Sequence, residues 1–383
     1  MMITLNYQQV REEYMRVMNE HIELETDSTK ATPEMVMDLL GLAAVNGYSL
    51  NSACSSVQET VTSPAILYQL RQGWLDHLNL QALEAQLNNL LVERLPDGIG
   101  GSKHEVAVDL TNVPYHGAAE QDEAEIRRSM AKSGTTHFHT YASAYIVKNG
   151  KRVTVAITYC MAHDSTLDIL LRLLLRLEVL DIGLKRLLLD REFYSTAVIR
   201  FLNHQAWQSI MAVPARGKTL KTLKTEATRS HRRPYTVCSP EHGRETFTLH
   251  VVCRYSKGRR GKHGIDRFLF AVLGRPWTGT PAHLAETYRR RFGVETSYRL
   301  MNQVRVRTTS RDPKLRLLYF VLAFTLLNLW IYLQWAVLAV PRRGGRWFNR
   351  SLFRLARFID FLRDAIRAIR KPVRQVSRPV SVF

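Results

Sequence analysis

The residues of this 383-residue sequence best suited to chemistry are three acids. Asp109 closes the β-branched run Glu105-Val-Ala-Val-Asp109-Leu, and Asp190 closes Lys185-Arg-Leu-Leu-Leu-Asp190. Glu295 lies within Tyr288-Arg-Arg-Arg-Phe-Gly-Val-Glu295-Thr-Ser-Tyr-Arg-Leu-Met-Asn302. With no His or Cys cluster beside them, three carboxylates favour hard cations bound by oxygen alone, Mg2+ or Mn2+. Two such ions about 3.5–4 Å apart can activate a water or a 3′-hydroxyl and stabilise the leaving oxygen of an in-line phosphoryl displacement. At 100° per residue, Tyr288, Arg291, Glu295, Arg299 and Asn302 fall on one helix face, an acid with donors suited to phosphates. Blander readings stand beside this one. Asp190 can cap the helix that begins at Ser195, Asp109 can open a turn, and a charged helix face can simply be solvated.

Positioning these acids is the work of a mixed α/β sheet. Strands are predicted at Glu105–Leu110, His137–Val147, Arg152–Met161, Lys185–Asp190 and Trp207–Pro214, with Asn149-Gly150 as a hairpin turn. Helices at Leu167–Leu180, capped by Asp164-Ser165, and at Ser195–Gln205 complete the unit. Carboxylates at strand ends gather at one edge of such a sheet, where ligands bind. Residues before the sheet read as helical. Thr32-Pro33-Glu34 starts one helix, Ser52–Val61 forms a second, Thr62-Ser63-Pro64 starts a third, and a longer one runs from Trp74 to Arg94. The short pair is consistent with a helix-turn-helix, a weak signal in any bundle.

The charge balance points to a polyanionic partner. Lys and Arg number 54 against 34 Asp and Glu, a net charge of +20. Cations crowd the strand-like stretch from Arg216 to Pro276 and the tail from Pro341 to Phe383, where apolar residues recur at helical spacing. The four scattered cysteines form neither a C-x-x-C pair nor a finger, so they read as reduced thiols of a cytosolic protein. No signal peptide is expected. Leu317–Val340 is uncharged and long enough to span a bilayer, but Thr325, Asn328 and Gln334 interrupt it and basic residues flank both ends. A buried helix of a soluble domain is the expectation. His104, His163 and Trp277 read as structural, although an aromatic beside the Glu helix can stack on a base.

Together, the segments Val108-Asp109-Leu-Thr-Asn-Val-Pro-Tyr115, Leu189-Asp190-Arg-Glu-Phe-Tyr194-Ser and Tyr288-x2-Arg291-x3-Glu295 resemble the DDE transposases of bacterial and archaeal insertion elements. These belong to the RNase H-like nucleotidyl transferases, and the third segment is similar to their subgroup with a Y-x2-R-x3-E-x6-K signature and a β-strand insertion before the Glu. The resemblance spans roughly residues 100 to 335 and implies an RNase H-like mixed sheet. The helical N-terminus matches that family only in kind and the basic tail lies outside the resemblance; the divisions expected are a helical DNA-binding domain at 1–98, a first core part at 99–215 and a basic β-rich insertion at 216–280. A second core part at 281–340 and a basic amphipathic tail at 341–383 follow.

The same resemblance implies that Asp109, Asp190 and Glu295 hold two Mg2+ or Mn2+ ions, Asp109 bridging them, and that Tyr288 and Arg291 hold DNA beside the scissile phosphate. Asn302 stands where the signature has Lys, so Arg299 or Arg305 is the remaining cation at that end. Implied partners are the duplex DNA of terminal inverted repeats and target, and a second copy of the chain in a synaptic complex. No membrane is expected, and the location is cytoplasmic, at the nucleoid. The reaction expected is cut-and-paste transposition. A nuclease without strand transfer and a non-catalytic DNA-binding relic are the alternatives.

Overall fold

The computed structural model describes residues 4–25, 28–118, 124–148, 151–255, 264–343 and 345–375. Helices α1 (Tyr7–His21), α2 (Pro33–Asn46), α3 (Leu50–Ser55), α4 (Ser63–Gln72) and α5 (Leu80–Val92) come first. Strands β1 (Ser102–Pro114), β2 (Arg127–Lys132), β3 (Thr135–Ile146) and β4 (Val153–Cys160) follow. Next are α6 (Thr166–Val179), β5 (Ile182–Leu189), α7 (Thr196–Asn203), β6 (Gln208–Ala212) and α8 (Gly217–Glu226). Strands β7 (His231–Ser239), β8 (Gly243–Tyr255) and β9 (Ile265–Gly274) precede α9 (Pro281–Arg289), α10 (Gly293–Met301) and α11 (Pro313–Tyr332). A small hairpin, β10 (Val340–Arg342) and β11 (Gly345–Trp347), leads to α12 (Leu355–Arg370). The chain divides into two compact units, a helical one of residues 1–97 and 297–383 and a sheet unit of residues 98–296.

The sheet unit is RNase H-like. Its strands run β2-β3-β1-β5-β6-β9-β8-β7, with β4 also paired to β3. β1, β5 and β6 are mutually parallel, and every other pairing is antiparallel. The basic stretch after residue 216 joins this sheet. It opens with α8, and its three strands extend the central sheet through the β6–β9 pairing. The expected Asn149-Gly150 turn lies outside the described residues, but the strands flanking it pair as a hairpin would require. Ser165 and Asp168 form a reciprocal capping box on α6, and Ser195 caps α7, so Asp190 is not that helix's cap. One sheet face, built from Ala107, Leu188, Ile210, Val252, Phe270 and Val272, is covered by Leu284, Ala285 and Tyr288 of α9.

In the helical unit, α11 is the core and packs against α5, α2, α1 and α12. Residues 281–340 were expected to belong together with the sheet, yet those from 297 onward cluster with the N-terminal helices. The helix is apolar on all sides because neighbours surround it, with 89% of its most apolar window buried. Asp312 caps its first turn, accepting from the Lys314 and Leu315 amides, and Pro313 stands at the first helical position. Each polar residue inside the apolar run has a partner. Thr325 donates to the Val321 carbonyl, Asn328 to Leu91 and Gln334 to Phe353. Leu91 lies in the last turn of α5, where carbonyls lack helical partners, so Asn328 at 2.8 Å completes that helix end. Asn328→Val is expected to cost about 1–3 kcal/mol by leaving this carbonyl buried and unpaired. Urea unfolding would register it as a lower midpoint at unchanged slope.

The basic tail is helical as expected, but its apolar face is already covered. Phe358, Leu362, Ala365 and Ile366 of α12 are buried, and the helix packs on α1 and α2. Leu352 before α12 and Ile369 near its end are exposed. Where α12 meets α1 and α2, Asp38 is fully buried and bonded by Arg11 Nε at 2.8 Å and by Arg370 Nε at 2.8 Å.

Candidate active site

Strand register brings the first two acids together. The parallel pairing of β1 with β5 ends at Val108↔Leu189, which sets Asp109 and Asp190 side by side at the next step. Asp109 is not at a strand end, as its sequence context implied. β1 continues to Pro114 against β3, and only its pairing with β5 stops there. Alternation places Asp109 on the same face as Ala107, beneath α9. Asp190 is the first residue beyond β5, where a tight turn at Arg191–Phe193 begins. Glu192 lies within that turn and not on a strand beside Asp190.

Glu295 arrives from the other direction. The stretch from Tyr288 to Asn302 is not one continuous helix, because α9 ends at Arg289 and a 3-10 turn at Arg290–Phe292 precedes α10. Arg290 ties that turn to Glu105 of β1 at 3.0 Å, and Glu105 also bonds Arg186. Glu105 was not singled out from sequence, although its even spacing from Asp109 on a strand was the available signal. Gly293 explains how α10 starts so close to the sheet. A Cβ there would stand 3.3 Å from the Tyr145 ring.

Arg291 is the hub of the arrangement. Its side chain is 5% exposed, and Nη1 lies 3.3 Å from Asp109 Oδ1. Nη2 lies 3.5 Å from Asp190 Oδ1 and 3.2 Å from Glu295 Oε1. Three carboxylates from segments far apart in the chain thus surround one buried guanidinium. Burial pushes the Asp109 carboxyl up to about 7, against the pull of Arg291 and with the help of the neighbouring acids Asp190, Glu192 and Glu295. Burial alone would lower the Arg291 pKa, but Tyr288, Asp109, Asp190 and Glu295 outweigh it and raise the value.

The other candidates are placed as follows. Tyr288 is turned inward, 6% exposed, and its hydroxyl donates to the Leu189 carbonyl at 3.0 Å, bracing the strand end that carries Asp190. Arg299 and Asn302 are exposed, Arg299 one turn beyond Glu295 along α10. Trp277 is buried and donates to the Thr280 carbonyl, His104 is buried against Ile99, and His163 is exposed. Asp164 is occupied by Arg172 and the Met161 amide.

The donor set fits a hard divalent cation, since it is all oxygen and already encloses positive charge. Among the described residues, the one trio of His, Cys, Asp or Glu with ligand atoms within 4.8 Å of each other is Glu20, His21 and Glu93 in the helical unit. Arg94 already contacts both acids of that trio. The acids around Arg291 are spread wider, by the guanidinium between them.

With this geometry in hand, the sequence matches the Transposase DDE domain family over residues 100–329. The chain belongs to that family. The fold of this DDE transposase family member is similar to that of the piggyBac transposase in a synaptic complex with hairpin DNA, determined by cryo-EM. The TM-score is 0.55 at 11% identity, over 94% of this chain and 76% of that one, a likeness of fold. A likeness to the Argonaute of Marinitoga piezophila with guide RNA and target DNA has a TM-score of 0.20 at 9% identity, over 57% of this chain and 29% of that one, too slight to imply a shared fold. No curated protein matches the sequence.

Proposed function

We propose that this DDE transposase performs metal-dependent cut-and-paste transposition of an insertion element, cleaving a strand at terminal inverted repeats and joining the freed 3′-hydroxyl to target DNA. The observation that carries the proposal is the convergence of Asp109, Asp190 and Glu295 on one buried guanidinium. In this reading Asp109, Asp190 and Glu295 are the residues that would hold the divalent ions, Mg2+ or Mn2+. Bound there, the ions would supply Lewis-acid activation of the attacking oxygen and charge stabilisation of the leaving one. Asp109 and Asp190 each directly follow the last paired residues of the parallel strands β1 and β5, Val108 and Leu189, so the backbone hydrogen bonds of that pairing help hold their spacing. Glu295 closes the set from α10, whose start is anchored by Arg290 on Glu105. Tyr288 keeps the β5 end in place, and the exposed Arg299 and Asn302 are the groups assigned to the DNA backbone. The +20 charge favours duplex DNA as the partner, at the nucleoid, and joining two element ends calls for two copies of the chain.

Strand-transfer assays on duplexes carrying the DNA that flanks the gene, with Mn2+, test this reading. The wild type is expected to cleave and join, and Asp190→Ala to do neither. Equal products from the two proteins would refute the catalytic assignment, and cleavage without joining would favour a plain nuclease.

A further inference from the structure

Resting on that metal-dependent reading, we propose that Arg291 is a positioning residue that serves as the site's built-in counter-ion. It holds the three carboxylates together before divalent ions enter and gives way to them when they do. The guanidinium touches every acid of the site while being almost wholly buried, so it neutralises charge that would otherwise repel inside the sheet unit. It is loosely held for such a group. Its contacts of 3.2, 3.3 and 3.5 Å exceed the roughly 2.7–2.9 Å of strong charge-assisted hydrogen bonds. Among the described residues its Nε is buried without a hydrogen-bond partner, and an unpaired buried donor raises the free energy of this arrangement. Besides these oxygens, two aromatic rings flank the guanidinium where it stands. The rings of Phe292 and Tyr288 stand 5.1 and 5.6 Å from the guanidinium carbon, and Phe292 is itself exposed. A cation entering among the acids competes directly with this internal one, because both are attracted to the same oxygens.

Mn2+ titration of the full chain without DNA, followed by the electron paramagnetic resonance of the free ion, tests the proposal beside thermal unfolding in a chelator. Arg291→Gln removes the competing charge and is expected to bind Mn2+ about tenfold more tightly than the wild type. In the chelator the same variant is expected to melt earlier, and added Mn2+ should raise its melting temperature by more than it raises the wild type's. Arg291→Lys keeps one charge but cannot fork to three acids, so it should bind more tightly than wild type by a smaller factor, which decides the matter if the Gln variant does not fold. Unchanged or weaker Mn2+ binding by these variants, with Asp190→Asn losing it, overturns the counter-ion role alone. A wild type that binds no Mn2+, or an Asp190→Asn variant that binds it equally, overturns the metal reading and this proposal with it.

Discussion

Asp109→Asn is expected to lower Mn2+-dependent cleavage by about a thousandfold or more while leaving the fold stable. The rate loss follows from the proposed role of Asp109 in holding the divalent ions. A bound metal contributes several kcal/mol of charge stabilisation in a phosphoryl displacement, and each 1.36 kcal/mol is about tenfold in rate. The retained stability follows from burial. Asp109 is 9% exposed, and its carboxyl is pushed up to about 7, so the folded site already disfavours the charge that Asn would remove. Arg291 would keep Asp190 and Glu295 as partners. Parallel measurements of cleavage rate and urea midpoint separate the two effects. Activity within tenfold of wild type would remove Asp109 from the chemistry, and a large midpoint shift would show that its role is structural.

Asp38→Ala is expected to have the largest effect on stability, about 3–5 kcal/mol. The carboxylate has no exposed surface and is held by Arg11 from α1 and Arg370 from the end of α12, whose side chains are only 13% and 9% exposed. Removing it leaves the largely buried Arg370 guanidinium without its acid and Arg11 with only the exposed Glu34 carboxylate at 2.6 Å, and breaking a buried ion pair in this way is costly. For a unit of this size the melting temperature should fall by roughly 6–20 °C. Replacing Arg11, Asp38 and Arg370 together by apolar residues of similar volume should cost much less, because no uncompensated charge remains. A calorimetric comparison of the single and triple variants checks both statements. A single variant within 1 kcal/mol of wild type would mean that water reaches the cluster.

The elements themselves were largely legible before folding, since caps and periodicity act over a few residues. Thr32-Pro33, Asp164-Ser165 and Ser195 start helices where their types require, and the alternating runs around residues 149–150 are paired strands. Misreadings arose where a neighbour decides. Residues 217–226 form a helix within a stretch read as strands, and its single buried residue, Leu220, leaves too little apolar pattern to detect. Glu295's helix looked continuous with Tyr288 because spacing alone carries no sign of the 3-10 turn that Arg290 fastens to Glu105.

By itself the sequence determined the kind of chemistry on offer. It set three acids without His or Cys ligands in a fixed order, a strong positive charge, an alternation that makes a mixed sheet, and an apolar helix with three polar interruptions. Tertiary structure alone decided which charges meet. Arg291 finds Asp109 across 182 positions and Arg370 finds Asp38 across 332, distances over which no periodicity or cap exerts an influence. The register of β1 on β5 likewise sets Asp109 beside Asp190 in the middle of a strand. Local preference reads along the chain, whereas burial and ion pairing depend on what the folded chain brings near. A guanidinium among three acids is therefore visible only once the sheet and α10 have come together.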